Sequence, residues 1–323
     1  MAKGVCCIGD LLVEIMRQNV GDPLDKPGIF VGPFPSGASG IFIDAIARLG
    51  IPARFVGSVG RDDFGTLILE RLSRDGVDTS RIKQLDEYTT GVAFVTYFED
   101  GSRKFIYHLA RAATGQIYPD DVDRACLQGI AYLHVVGSTM FINRQSAEAC
   151  TQAARIVREQ GGRVSFDLNF RPELLTEKMM QELFGPLLRQ AYVVFPTEQE
   201  LEVLTGIQAV SEDEEKRAEA CAQLLDQGPQ IVAVKQGGEG SSVYTREKSF
   251  HAPPFQVEEV DPTGAGDCYC AGFLAGLLNE MDVHQAAQLA NAVGALAVTR
   301  KGPMEGAPFW SEVMKFLGWP TDC

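Results

Sequence analysis

The chain is predicted to fold as an α/β domain, a doubly wound, mostly parallel sheet with helices on both faces and a small β-sheet lid. Three observations predict it. Short β-rich apolar runs alternate along the chain with stretches of helical periodicity, the order of repeated βα units. Those runs are apolar nearly throughout, as strands buried on both faces must be. The segment 91-GVAFVTYFEDGSRKFIYHLA-110 breaks the pattern with two alternating runs about Asp100-Gly101, a strong hairpin signal.

The strands expected for the large sheet are 5-VCCIG-9, 54-RFVGSVG-60, 131-AYLHVVGST-139, 163-RVSFDLNF-170, 191-AYVVF-195 and 230-QIVAVKQGG-238. Helices are expected over 40–50, 62–76, 144–162 and 212–228, where apolar residues recur at helical spacing. The stretch 11–34 has room for two more short strands, which with 90–111 would make the lid. No internal repeat or low-complexity linker divides the 323 residues, so one domain over 1–323 is expected.

Composition narrows the function. The net charge is −14, and no Lys/Arg-rich run offers a nucleic-acid footprint. No stretch of about 18 apolar residues predicts a membrane span. The N-terminal run 1-MAKGVCCIGDLLVEIM-16 is broken by Asp10 and Glu14, unlike a signal peptide. A cytoplasmic protein is therefore expected, with its eight cysteines reduced. Cys268 and Cys270 have no second pair or His cluster to complete a zinc site. Asp10-Leu11-Leu12 follows the first strand where a nicotinamide-binding fold needs glycines, so a dehydrogenase is excluded.

The segment 258-EEVDPTGAGDCYCAGFLAGLL-278 carries the chemistry. Gly264 and Gly266 let the backbone turn with its N–H groups pointing one way. A helix follows at once, and a helix start with free amides binds anions. Asp267 falls in the first turn beside that positive pole, where it can accept a proton from an alcohol. Amides that stabilise a transferred group, next to a base, suit phosphoryl transfer. The alternative is a small-residue connection that lets helix and strand approach. Ala271, Gly272, Ala275 and Gly276 look like close-packing choices.

VDPTGAGDCYCAGFLAGLL resembles the C-terminal signature of the ribokinase-like (PfkB) carbohydrate kinase family. Five further blocks resemble the family in order: 56-VGSVGRDDFGTLILERLSRDGVDTS-80, 167-DLNFRPELL-175, 195-FPTEQELEVLTG-206, 235-KQGGEG-240 and 289-LANAVGALAVTRKG-302. The resemblance implies a ribokinase-like fold, ATP and Mg²⁺ as cofactors, a sugar as substrate and a homodimer through the lid. It makes Asp267 the base and the amides of Gly264, Ala265 and Gly266 the anion hole. Lys235, Gly237, Gly240 and Asn291 match nucleotide-side positions. Glu200 matches the acidic residue that acts on Mg²⁺ through water, with Thr197 where the family usually has Asn. Asp261 and Thr263 match a K⁺ site found in several relatives.

On the sugar side the resemblance implies Asp10, Glu14, Ser36, Gly37, Ala38, Tyr107, Asn169 and Arg171. Ser36-Gly37 stands for the usual glycine pair, and Ile41 stands where an Asn is common. Asp44, one turn on, is expected on an exposed helix face. The Tyr-x-Arg element associated with ketodeoxygluconate kinases should fall near 106-IYHLAR-111, where His108 and Leu109 follow Tyr107. A ketose such as tagatose or fructose is favoured; a keto-sugar acid or a nucleoside is the alternative. A binding protein without catalysis would be expected to lack the base or the glycines.

Overall fold

The structure, a computed structural model, describes residues 4–99, 101–170 and 177–320. In chain order its strands are β1 (Gly4–Ile8), β2 (Leu12–Arg17), β3 (Phe30–Ser36), β4 (Ala53–Gly60), β5 (Val77–Leu85), β6 (Gly91–Tyr97), β7 (Arg103–His108), β8 (Ile130–Val136), β9 (Arg163–Asp167), β10 (Val193–Phe195), β11 (Ile231–Lys235), β12 (Ser241–Thr245) and β13 (Ser249–Ala252). The helices are α1 (Ala38–Arg48), α2 (Asp63–Arg74), α3 (Gly137–Ile142), α4 (Arg144–Glu159), α5 (Glu177–Leu188), α6 (Glu198–Thr205), α7 (Glu214–Gln227), α8 (Ala265–Leu278), α9 (Val283–Ala297) and α10 (Trp310–Leu317).

The large sheet runs β13-β12-β11-β10-β9-β8-β1-β4-β5. It is parallel from β5 to β11, and β12 and β13 are antiparallel. Alternate residues of a strand point to opposite faces, and the core divides accordingly. Val5, Cys7, Val193 and Phe195 pack with α1, α8 and α9, whereas Cys6, Ile8 and Val194 pack with α4 and α7. β5, β12 and β13 were not expected from the sequence. Their polar residues, as in 77-VDTSRIKQL-85, hide the strand pattern at the sheet's margins.

The chain leaves β1 toward β4 and β5 on one side and later returns through β8 on the other. The strand order therefore reverses between β1 and β8, where a doubly wound sheet opens a crevice at its carboxyl edge. The smaller sheet, β3-β2-β6-β7, comes from the two segments expected to form the lid. β2 and β6 pair in parallel; the outer pairs are antiparallel. Asp100 of the expected hairpin turn lies outside the described residues. The described cysteines are buried free thiols. Among the described residues no helix is long and apolar enough to cross a membrane.

Asp44 departs from expectation: it is 0% exposed. Its carboxylate accepts from Arg71 Nε at 3.2 Å and Nη2 at 2.8 Å, and Arg71 also donates to the Met304 carbonyl. The apolar neighbours Ile43, Ala45 and Ile46 carry that face of α1 into the core, so a charge there needs a buried partner. The residue ties α1 to α2 and to the 304 loop instead of meeting solvent or sugar. Replacing Asp44 by Ala should cost about 2–3 kcal/mol in a denaturant melt. That is less than the ~3–5 kcal/mol of a broken isolated buried pair, because Asp75 still holds Arg71 at 2.7 Å.

Candidate active site

The crevice is a cleft of about 790 Å³ between the carboxyl edge of the large sheet and the smaller sheet. Successive strand ends supply its floor. Asp10 follows β1, Ser138 follows β8, Asn169 follows β9, Thr197 follows β10, and Lys235 closes β11. The roof is set by register. Leu12 and Glu14 lie opposite Gly91 and Ala93, and Ala93 lies opposite Tyr107. Glu14, Ala93, Arg103, Phe105 and Tyr107 thus face the cleft, while His108 is on the opposite face, exposed.

One part of the cleft is built from the start of α8. Gly264 holds φ 81° as the residue before the helix. A β-carbon there would sit 2.6 Å from the Pro303 carbonyl oxygen and 3.0 Å from Ile41 Cγ2, so both conformation and space demand glycine. No side chain caps the helix; the Ala265 N–H turns back to the Pro262 carbonyl at 3.4 Å, and the Gly266 amide that follows is left to an anion. Gly264, Gly266 and Asp267 line the cleft; Asp267 is 7% exposed. Ala265 lies between them in sequence without lining it. Gly272 and Gly276, one side of the same helix, pack against Ala290 and Ala286 of α9. The close-packing reading therefore holds for the later glycines of the motif, and the earlier ones open onto the cleft.

Lys235 Nζ lies 2.6 Å from Asp167 Oδ1 and beside Gly266. Burial opposes its charge, but Asp167, then Cys270 and Glu200, hold its pKa above the ordinary lysine value. Glu200 Oε1 accepts from the Phe170 amide at 2.6 Å and Oε2 from the Thr197 amide at 2.7 Å. Burial pushes the Glu200 carboxyl up, against the pull of Lys235. Thr197 Oγ1 accepts in turn from the Glu200 amide, closing a capping box on α6. Thr197 is thus a helix cap that also lines the cleft. A carboxylate oxygen has room for a second donor, so Glu200 fits hydrated Mg²⁺ through water.

Asp10 is anchored where the cleft meets the end of β1. Its carboxylate accepts from the amides of Ala38 and Ser39 and from the hydroxyls of Ser39 and Thr139. It serves as an N-terminal cap borrowed from another segment. Gly37, φ 104°, makes room for it: a β-carbon would meet the Asp10 carbonyl at 2.4 Å. Ser36 Oγ donates to Glu14 Oε2 at 3.0 Å. Asn169 sits at φ 37°, a left-handed conformation asparagine tolerates. Its Oδ1 and Ser138 Oγ are buried without a hydrogen-bond partner on the rim of the cleft. Such atoms call for a polar ligand.

Several expected residues lie elsewhere. Asn291 does not line the cleft; its Nδ2 donates to the carbonyls of Ala252 and Pro253, bracing α9 against the end of β13. Gly240 backs onto the same 252–254 segment. Gly237 lines the cleft. Arg171 lies outside the described residues. Asp261 is buried with its oxygens accepting from the Thr263 and Gly302 amides and the Tyr97 hydroxyl. Those bonds commit the Asp261 carboxylate to holding the 261–264 turn. Among the described residues no group of three or more His, Cys, Asp or Glu could hold a metal. Sequence reasoning missed Ser138, Asp167, Tyr97 and Arg103. All four stand inside the runs given above, but only folding brings Ser138 and Arg103 to the cleft, Asp167 under Lys235 and Tyr97 to Asp261. Changing Lys235 to Met should cost about 3–5 kcal/mol in a melt, because Asp167 is left buried and unpaired. The double change Asp167→Asn with Lys235→Met should recover more than half of that loss.

Comparison with known proteins accords with this geometry. The model of the pfkB family carbohydrate kinases matches residues 4–310. Fructokinase-1 of Zea mays is 30% identical over 98% of this chain and 99% of its own. The 2-dehydro-3-deoxygluconokinase of Bacillus subtilis is 31% identical over 87% of this chain and 86% of its own. The crystal structure of a “putative Ribokinase II” from E. coli in complex with ATP and Mg²⁺ superposes with a TM-score of 0.90, at 41% identity, covering 98% of this chain and 99% of that one. With the family model spanning nearly the whole chain, the protein belongs to the pfkB family of carbohydrate kinases and is an ATP-dependent sugar kinase.

Proposed function

We propose that this kinase transfers the γ-phosphate of ATP to a primary hydroxyl of a ketose, fructose or tagatose being the favoured class. The observation that carries the reading is one cleft with two chemically different ends. Asp267 and the uncapped amides of α8 stand at one end; Asp10, Glu14, Ser138 and Asn169 stand at the other. Carboxylates suit a polyol because each can accept from two hydroxyls. The kinship with fructokinases supports a ketose.

Asp267 takes the proton of the sugar hydroxyl as that oxygen attacks the phosphorus. The amides of Gly264, Ala265 and Gly266 receive the charge that builds on the transferred group. Lys235, held by Asp167 beside Gly266, adds a fixed positive charge. Glu200 would hold Mg²⁺ through its water shell. ATP supplies the phosphoryl group when bound, and Mg²⁺ neutralises its phosphate charge. The smaller sheet acts as a lid that excludes water from the transfer.

Arg103 favours one second reading. It puts a cation on the roof of the cleft, where it could pair with the carboxylate of a keto-sugar acid. An ADP-release assay over ketoses, keto-sugar acids and nucleosides separates the classes. On whichever sugar turns over, Asp267→Asn should bind ATP normally and lose at least about 100-fold in kcat; near-normal turnover would remove Asp267 as the base.

We also propose a homodimer through the lid's outer face. Ile106 is 43% exposed there and Phe30 37%, with Phe94 between the strands. Sedimentation should give a dimer, and Ile106→Asp should shift it toward monomer; a monomeric wild type would end this proposal.

A further inference from the structure

We propose that Tyr97 is a positioning residue for phosphoryl transfer: its hydroxyl fastens the lid to the 261–264 turn and so sets the anion-binding amides once the lid is in place. The inference rests on the kinase reading above.

Tyr97 ends β6 and lies opposite Arg103. Its neighbours on that face, Ala93, Arg103, Phe105 and Tyr107, line the cleft, so its ring points toward the large sheet. The hydroxyl crosses to the other side of the cleft. It donates to Asp261 Oδ1 at 3.2 Å and makes a close hydrogen bond with Thr263 Oγ1. These partners lie more than 160 residues away in sequence, so only the placement of the lid brings them together.

The partners are the residues that shape the turn. Asp261 Oδ1 accepts from the Thr263 amide at 3.0 Å, and Oδ2 accepts from the Gly302 amide at 2.9 Å. Thr263 is followed directly by Gly264, whose left-handed conformation aims the first amides of α8. A pull on Thr263 or Asp261 therefore reaches Gly264, the first residue of the anion hole, through one to three peptide units. The lid makes a second contact nearby, where Phe34 of β3 crowds Gly302. Burial, then the charges of Asp261 and Glu14, raise the pKa of Tyr97, so it keeps its proton for donation across the working range of a kinase.

The role differs from sugar binding. A residue that only held the sugar would move KM. A residue that fixes the amides acts on the charge of the transition state and moves kcat. The bond should also be shared: once either hydroxyl is gone, removing the other changes little.

The test is a double-mutant cycle on kcat with Tyr97→Phe, Thr263→Val and the pair, run on the sugar that wild type phosphorylates. Tyr97→Phe keeps the ring and removes only the hydroxyl. Its kcat should fall on the order of 10- to 100-fold, with sugar KM changed less than about threefold and melting temperature nearly unchanged. The double variant should be within about twofold of the slower single one. An unchanged kcat in Tyr97→Phe, a loss confined to KM, or single effects that multiply in the double would each overturn the proposal. Should Tyr97→Phe fail to fold, Thr263→Val cuts the same bond from the other side, and an unchanged kcat there overturns it equally. A wild type with no turnover on any sugar would instead strike the kinase reading, and so the two failures are distinguishable.

Discussion

The first amides of α8 have no side chain to cap them, and the rest of the site is arranged around that open positive pole. The vacancy is built rather than accidental. Gly264 turns in a conformation that other residues resist, pressed between Ile41 and the Pro303 carbonyl. Asp267 follows within one turn, so it and Gly264 are joined by three peptide units and cannot drift apart. The later small residues of the same helix, Gly272 and Gly276, bring it against α9 and fix its axis. One motif thus supplies both the site and the packing that holds it still.

Around that pole the chain places charges in pairs. Lys235 would be costly to bury alone, and so would Asp167; together they pair at 2.6 Å beneath Gly266. Glu200 and Asp10 are held differently, by backbone N–H groups that each would otherwise lack a partner at a helix start or strand end. The same carboxylates therefore stabilise local structure and face the cleft. Mutational loss at these positions will mix folding with function unless stability is measured beside activity.

The sequence made the central strands, the main helices and the phosphate turn legible, because each rests on local period or local turn chemistry. Asp267, Gly264 and Gly266 could be read from five adjacent residues. Ile41 was noticed only as a missing asparagine, and its packing on Gly264 was invisible. Asp44 looked like an exposed helix residue because its partner, Arg71, lies on another helix. Asn291 lay in a block that matched the nucleotide side, yet its amide is occupied by two carbonyls of the 252–253 segment. The edge strands β5 and β13 and their neighbour β12 escaped because their polar residues, the Ser and Thr of β12 among them, blur the alternation.

By itself the sequence determined a doubly wound α/β chain with a small inserted sheet, a glycine turn that opens a helix and a carboxylate in that helix's first turn. These follow from periodicity and from glycine conformation, which act within a few residues. Only the tertiary structure decided that Lys235 meets Asp167, that Ser138 and Asn169 leave unpartnered polar atoms at the cleft, and that Tyr97 reaches Asp261 and Thr263. Those contacts join residues tens to more than a hundred positions apart. Strand order and lid register bring them together, and no local pattern encodes either.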